Sequence, residues 1–144
     1  MSKASEPGLQ LPAPFAVDPL ALHRADPATY PFLLQSTAHG TAQGRYDILF
    51  AAPGERISLD ADGRLHAARA QADGFLRALD RYWAGMRADA QPNGPFAGGW
   101  FLLLGYELAG EVEPSLRLPR TNGLPVAVAV RVPVALVRDR QTES

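Results

Sequence analysis

The sequence contains no cysteine, which excludes disulfide frameworks, thiolate nucleophiles and cysteine-based zinc sites. An excess of charge of either sign is also lacking, because 14 lysines and arginines accompany 15 aspartates and glutamates. Nucleic-acid binding is therefore not expected, since it depends on a basic surface that neutralises phosphates. No uninterrupted apolar run reaches the roughly 18 residues that indicate a membrane-spanning helix. We expect a cytoplasmic protein that binds neither nucleic acid nor membrane.

Several well-known catalytic motifs are missing as well. The three histidines, His23, His39 and His66, are isolated and show no metal-ligand spacing. The glycines of residues 40–47 lack the lysine and hydroxyl residue of a phosphate-binding loop, and no Gly-x-Ser-x-Gly elbow occurs. The sequence therefore predicts no metal site and no cofactor on this chain.

The chain is long enough for one domain with a real core. Residues 1–17 are predicted to form a flexible N-terminal arm, because three prolines discourage helix there. Residues 18–140 form the expected domain. At its start, Asp18-Pro19 resembles a helix N-terminus in which the aspartate caps and the proline fills the first turn, which predicts a helical turn over residues 19–25.

Alternating apolar and polar residues indicate the strands. The alternation is clear in residues 45–51, on both sides of an expected hairpin turn at Asp62-Gly63, and in the valine-rich residues 126–132. Residues 100–106 are apolar on both alternating faces, which is typical of a central strand covered from two sides. With the segment FLLQST, these residues predict a mostly antiparallel sheet.

One substantial helix is predicted, over residues 67–90. Its apolar residues form a single stripe at a period of 3.6 residues: Phe75, Leu76, Leu79, Trp83 and Met86. A helix with one stripe covers only one face of a sheet. The expected fold class is therefore α+β with one main helix, and the remaining apolar strand surface suggests half of a larger layered α/β body.

Two groups of side chains are candidates for chemistry. Ser36, Arg45 and Tyr46 lie in or beside adjacent predicted strands, and a hydroxyl, a guanidinium and a ring suit a small amino acid. The alternative is ordinary cross-strand packing. Glu107, beside Tyr106 at the end of an apolar strand, suits acid–base catalysis. The alternative is a turn cap or an ion pair with an arginine. Both choices stay open at this point.

Four segments carry a family resemblance by their order and spacing: DPATYPFLLQS (26–36), GRYDILFAAPG (44–54), PFAGGWFLLLGYELA (95–109) and EPSLRLP (113–119). Together they resemble the N-terminal domain of two chorismate-utilising enzymes, aminodeoxychorismate synthase component I and anthranilate synthase component I. The aspartate and aliphatic run after Tyr46 are more similar to the aminodeoxychorismate branch. Gln35 stands where the anthranilate branch usually has a glutamate.

The resemblance implies a non-catalytic portion of an enzyme that converts chorismate to 4-amino-4-deoxychorismate, on the route to p-aminobenzoate and folate. The catalytic residues and a Mg²⁺ ion would belong to a C-terminal chorismate-binding domain, which is absent from this chain. Ammonia would come from a glutamine amidotransferase subunit, component II. The alternatives are anthranilate synthase component I of tryptophan biosynthesis, a stand-alone amino-acid-binding or regulatory module, and an interaction domain.

The resemblance also implies a pocket that holds a tryptophan molecule. By motif, the residues next to that ligand are Leu34, Ser36, Arg45 and Tyr46. Three further residues are expected to line this pocket or the seam between the two domains: Trp100, Tyr106 and Glu107.

Overall fold

The computed structural model describes residues 11, 17–38, 41, 44–68, 72–86, 95–119 and 123–141. The helices are α1 (Pro19–Ala25), α2 (Phe75–Met86) and α3 (Ala109–Val112), with a 3-10 helix at Tyr106–Leu108. The strands are β1 (Phe32–Leu34), β2 (Tyr46–Ala51), β3 (Arg56–Leu59), β4 (Leu65–Ala67), β5 (Gly99–Leu104), β6 (Ala127–Val132) and β7 (Val134–Asp139). The expected α+β class with antiparallel pairing and one main helix is confirmed. Most of the predicted arm over residues 1–17 lies outside the described residues.

The strands are divided between two sheets, a division that the sequence does not predict. One sheet has the order β1-β2-β7 and the other the order β4-β3-β6-β5. Pro133 is the single residue between β6 and β7, where the chain leaves one sheet and enters the other. Proline cannot donate a backbone hydrogen bond, which makes this position a natural end for a strand. The chain correspondingly forms two compact units.

The first unit comprises residues 1–54, 88–99 and 132–144 and contains the three-stranded sheet. Its middle strand is β2, where Leu49 is fully buried and Phe50 contacts Phe96 edge to face, with the ring centroids 5.2 Å apart. Helix α1 has the predicted bounds, and the Asp18 carboxylate accepts a hydrogen bond from the Leu20 N–H at 3.0 Å. The predicted cap is therefore confirmed.

The second unit comprises residues 55–87 and 100–131 and holds the four-stranded sheet with α2 packed against it. The predicted hairpin is confirmed, because β3 and β4 pair antiparallel across the turn that contains Gly63. Ile57, Phe75 and Ala129 have no exposed surface and form the centre of this core. Helix α2 thus covers one face of its sheet, as a single apolar stripe requires.

The prediction that α2 begins at residue 67 is wrong. Ala67 belongs to β4, and the helix begins at Phe75, after Gly74, which has a φ of +152°. The N-terminus is capped by the distant Glu111, whose carboxylate accepts hydrogen bonds from the N–H groups of Phe75 (2.7 Å) and Leu76 (3.0 Å). A cap from outside the segment gives no local sequence signal. The predicted end, residues 87–90, lies outside the described residues.

The orientation of α2 also differs from the predicted stripe at one position. Trp83 is 53% exposed, whereas the neighbouring Tyr82 is buried and contacts Trp100 edge to face at 5.7 Å between ring centroids. Phe75, Ala78 and Tyr82 form the buried row at offsets of three and seven residues. The stripe is therefore rotated away from Trp83, because Trp100 supplies an aromatic partner to Tyr82 instead.

The prediction that residues 100–106 form a central, two-sided strand is also wrong. Strand β5 is the last strand of its sheet, and Leu102, Leu103 and Leu104 are 44%, 47% and 52% exposed. The central strand is β6, which has β3 on one side and β5 on the other and is buried along most of its length. An apolar strand at a sheet edge exposes backbone and side chains that other strands bury.

Candidate functional site

The four residues predicted to surround an amino acid lie together at one end of the first sheet. Leu34 pairs with Ile48 on β2, Tyr46 begins β2, and Ser36 follows β1. A β-carbon on Gly44 would overlap the carbonyl oxygen of Ala38 and stand 3.4 Å from Ser36 Oγ. Only glycine therefore lets the chain after β1 approach the residue before Arg45 this closely. The assignment of these residues to an amino-acid ligand stays a prediction.

Arg45 is held in place by an aspartate that the sequence analysis did not single out. Its Nε donates to both carboxylate oxygens of Asp139 at 3.0 Å, and its Nη2 donates at 2.6 Å. The guanidinium also lies over the Tyr46 ring, 4.8 Å from the centroid. The hydrogen bonds to Asp139 raise the pKa of Arg45 further above its ordinary value. Arg45 is thus a fixed cation stacked on an aromatic ring.

A second ion-pair group lies beside the first and is centred on Asp47, which is fully buried. Arg138 donates to it through Nε at 2.9 Å and through Nη2, and Arg140 donates through Nη2. Burial by itself raises the pKa of Asp47, but the hydrogen bonds from Arg140 and Arg138 outweigh burial and hold the pKa below its ordinary value. Asp47 is therefore a buried anion with two cationic partners.

This group also fixes the chain near Ser36. Arg140 Nη1 donates to the Ser36 carbonyl oxygen at 2.9 Å, and the Arg140 backbone N–H donates to the Arg45 carbonyl oxygen at 2.9 Å. Sequence reasoning missed the contribution of β7, although a signal was present. Asp47 alternates with the inward residues Leu49 and Ala51, and an inward aspartate requires cationic partners on a neighbouring strand.

The other three predicted residues belong to the second unit. Trp100 packs against Tyr82, and Tyr106 is 84% exposed. Glu107 borders two adjoining grooves of about 230 and 320 Å³, both lined mainly by apolar residues and both including Leu118. The assignment of these three residues to a ligand pocket or a domain seam stays a prediction.

The described residues include no group of three or more histidine or acidic side chains arranged to hold a metal ion. Two of the histidines have other partners: His23 Nδ1 lies 2.7 Å from the Tyr30 carbonyl oxygen, and His66 Nε2 lies 3.1 Å from an Asp60 carboxylate oxygen. His39 lies outside the described residues. Within the same ranges, no helix combines the length and apolar character needed to cross a membrane.

Comparison with known proteins finds a likeness among solved structures only. No family model matches the chain, and no curated protein matches it. Among solved structures, the chain is similar to anthranilate synthase component I from Streptococcus pneumoniae TIGR4, with a TM-score of 0.57 and 20% sequence identity. The match covers 77% of this chain and 26% of that one, so this chain spans about a quarter of that protein. At this identity the likeness shows that the two share a fold.

Proposed function

We propose that this chain is the N-terminal, non-catalytic portion of an aminodeoxychorismate synthase component I. The observation that supports it best is the fold shared with a quarter of anthranilate synthase component I, found independently of the four sequence segments that resemble the same enzymes. In this proposal the complete enzyme converts chorismate to 4-amino-4-deoxychorismate in the cytoplasm. This chain contributes structure and an amino-acid pocket.

The exposed edge strand supports the proposal that another domain packs against this chain. Leu102, Leu103 and Leu104 lie on β5 at the sheet edge, and the 320 Å³ groove beside them is lined by Tyr106 and Leu124, which are 84% and 65% exposed. Exposed apolar side chains on an unprotected edge mark an interaction surface. In this proposal a chorismate-binding domain covers β5 and carries the catalytic residues and Mg²⁺. A glutamine amidotransferase subunit, component II, supplies ammonia.

The choice of branch depends on two residues. Asp47 is more similar to the aminodeoxychorismate enzymes, and Gln35 departs from the glutamate usual in the anthranilate branch. The fold likeness is to an anthranilate synthase and fits either branch. Anthranilate synthase component I is therefore the alternative. The two enzymes form different products from chorismate and ammonia, so the product distinguishes them.

The experiment mixes the 144-residue chain with a separately produced chorismate-binding domain, chorismate, Mg²⁺ and ammonia, and separates the products by chromatography. We expect aminodeoxychorismate from the mixture and no turnover by either part alone. Anthranilate as the product would select the other branch. Turnover by this chain alone would refute the proposal that it is non-catalytic.

The convergence of Ser36, Gly44, Arg45 and Tyr46 favours an amino-acid pocket as a second component of the proposal. We propose tryptophan as its ligand, with Leu34 as an apolar wall. The same pocket would operate in a stand-alone regulatory module, which is the remaining alternative. Calorimetric titration of the chain with tryptophan tests the pocket, and saturable heat that Ser36→Ala weakens is the expected result. A titration without saturable heat would remove it.

A further inference from the structure

Strand β5 is the outermost strand of the four-stranded sheet, and no neighbouring strand lies on its outer side within the described residues. The Gly105 N–H, directly after β5, donates to the Val126 carbonyl oxygen at 2.7 Å, so Gly105 faces β6. Successive residues of a strand direct their backbone groups to opposite sides. The N–H and C=O groups of Trp100, Leu102 and Leu104 therefore face away from β6 and offer hydrogen bonds to a further strand.

The other sheet edges carry protections that β5 lacks. Strands β1 and β4 have three residues each, and β7 carries the charged residues Arg138 and Asp139. Short length and charge are common devices that stop an edge strand from pairing with another chain. Strand β5 has six residues, Gly99–Leu104, and contains neither a charged residue nor proline. Among the sheet edges in the described residues, β5 is thus the best suited to bind a further strand.

The sequence GWFLLLG (99–105) is complementary to itself about its centre, Leu102. When two copies pair antiparallel about a two-fold axis at Leu102, the opposed residues of the two copies are Gly99 with Gly105, Trp100 with Leu104, and Phe101 with Leu103. Each aromatic ring then meets a leucine, which is a favourable cross-strand pair, and no like charges meet. The residues that exchange hydrogen bonds in this register are the same three whose backbone groups face away from β6. Leu102 and Leu104, 44% and 52% exposed, lose apolar surface to water when the strands pair.

We propose that two copies of this chain associate through β5, antiparallel about a two-fold axis at Leu102, and that their four-stranded sheets join into one sheet of eight strands. This inference goes beyond the proposed function. Pairing covers the apolar edge of a chain that has not met the chorismate-binding domain, and a chain binds either that domain or a second copy, because both use β5. Six residues from each copy are fewer than the roughly 20–30 of a standard interface, so we expect a weak dimer with a dissociation constant of about 10–100 µM.

The test is sedimentation equilibrium of the full chain alone, from about 5 µM to about 500 µM, where the average mass should rise from 15.5 kDa toward twice that value. Leu102→Lys and Leu102→Glu each place like charges opposite one another, and each should weaken association at least about tenfold. An equimolar mixture of the two variants should restore association, because opposite charges then meet across the axis. Restoration of this kind requires that residue 102 of one copy lies opposite residue 102 of the other.

The control is Val134→Lys, which places the same charge at a 52% exposed apolar residue on the edge strand β7 and should leave association unchanged. Circular dichroism establishes whether each variant folds. If a charged variant does not fold, Leu102→Cys decides the question, because the chain has no other cysteine. Oxidised glutathione should link Leu102→Cys into a covalent dimer at least about tenfold faster than it links Val134→Cys, since residues opposed in antiparallel strands lie within disulfide distance.

Three results would overturn this inference. A chain that keeps a mass of 15.5 kDa at about 500 µM does not pair, and the proposed function stays in place. Variants at Leu102 that dissociate separately and also in the mixture place the axis elsewhere. Equal weakening by Val134→Lys, or equal rates of linkage for the two cysteine variants, places the contact on another surface.

Discussion

Glu111 connects two helices of the second unit, and its removal is a sensitive test of how that unit is built. The carboxylate, from α3, accepts hydrogen bonds from the N–H groups of Phe75 at 2.7 Å and Leu76 at 3.0 Å, 36 and 35 residues away in sequence. Both N–H groups belong to the first turn of α2, which has no earlier helical carbonyl to pair with. The negative charge is also favourable at this positive end of the helix.

The expected cost of Glu111→Ala follows from this geometry. Replacing a helix cap by alanine costs about 1 kcal/mol, and a hydrogen bond to a charged group contributes about 1.5–3 kcal/mol. The Phe75 N–H is partly buried, so water replaces the carboxylate there only in part, while the Leu76 N–H is exposed and becomes hydrated. We therefore expect the free energy of unfolding to fall by about 2 kcal/mol, which lowers the melting temperature by roughly 6–8 °C in a chain of this size.

The assay is thermal and urea unfolding followed by circular dichroism, with Asp73→Asn as the matched control. Asp73 lies beside the same helix end, but its side chain is 92% exposed and its recorded partner is the Arg77 guanidinium at 3.8 Å. We expect the control to change stability by less than about 0.5 kcal/mol. If Glu111→Ala had the same melting temperature as the unmodified protein or as the control, the capping role would be refuted.

Gly74 supplies an independent check of the same contact. A β-carbon at Gly74 would stand 2.9 Å from the Glu111 carboxylate atoms, and the φ of +152° is unfavourable for other residues. Gly74→Ala therefore destabilises in two ways, and only one of them depends on Glu111. In a double-mutant cycle, we expect Gly74→Ala to cost less when Glu111 is already alanine. Strict additivity of the two changes would contradict the proposed contact.

Three further predictions concern other parts of the fold. Asp47→Asn is expected to lower the free energy of unfolding by about 3 kcal/mol in urea, because it leaves two arginines without their buried anion. The pKa of Asp47 is lowered in the folded protein, so its contribution to stability is complete above the ordinary aspartate pKa of about 3.9 and is lost as the pH falls below that value through the folded-state pKa. The free energy of unfolding should therefore differ more between pH 5 and pH 3 in the unmodified chain than in Asp47→Asn. Tyr82→Ala should cost about 3–4 kcal/mol and Trp83→Ala less than about 1 kcal/mol, and a larger cost for Trp83→Ala than for Tyr82→Ala would show that the helix is oriented as the sequence predicted. Leu103→Lys should reduce the binding of a hydrophobic dye without lowering the melting temperature, and unchanged dye binding would place the exposed apolar surface elsewhere.

The sequence predicts local structure well where the signal lies inside the element. Asp18-Pro19 predicts α1 with its cap, and the alternation in residues 45–51 predicts β2. The sequence does not predict local structure where a residue distant in the chain determines where a helix begins or which of its faces is buried. The first turn of α2 depends on Glu111, and the choice between Tyr82 and Trp83 depends on Trp100. An alternating pattern also cannot say which sheet a strand joins, so the separation of β6 from β7 was not predictable.

The candidate site likewise contains residues that the sequence indicates and a residue that it does not. Ser36, Arg45 and Tyr46 were recognisable because their side chains suit a small amino acid and their strands are adjacent in sequence. Asp139 was not, since its partner Arg45 is 94 residues earlier and the pairing of β2 with β7 sets which residues meet. The sequence signal that was available is the charged residue Asp47 at an inward strand position. It indicates that cationic partners exist but does not indicate their positions.

The pairing of β2 with β7 has a consequence for biosynthesis. Residues 46–51 leave the ribosome roughly 90 residues before residues 134–139, and the entire second unit is synthesised between them. Before residues 134–139 emerge, the hydrogen-bonding groups of β2 that face β7 have no strand to pair with, and before residues 138 and 140 emerge Asp47 lacks both of its cationic partners. Closing so long a loop is slow, and unpaired strands aggregate readily. Ribosome-bound chains that stop at residue 131 should therefore leave β2 sensitive to protease, whereas chains extended far enough to expose residue 141 should protect it.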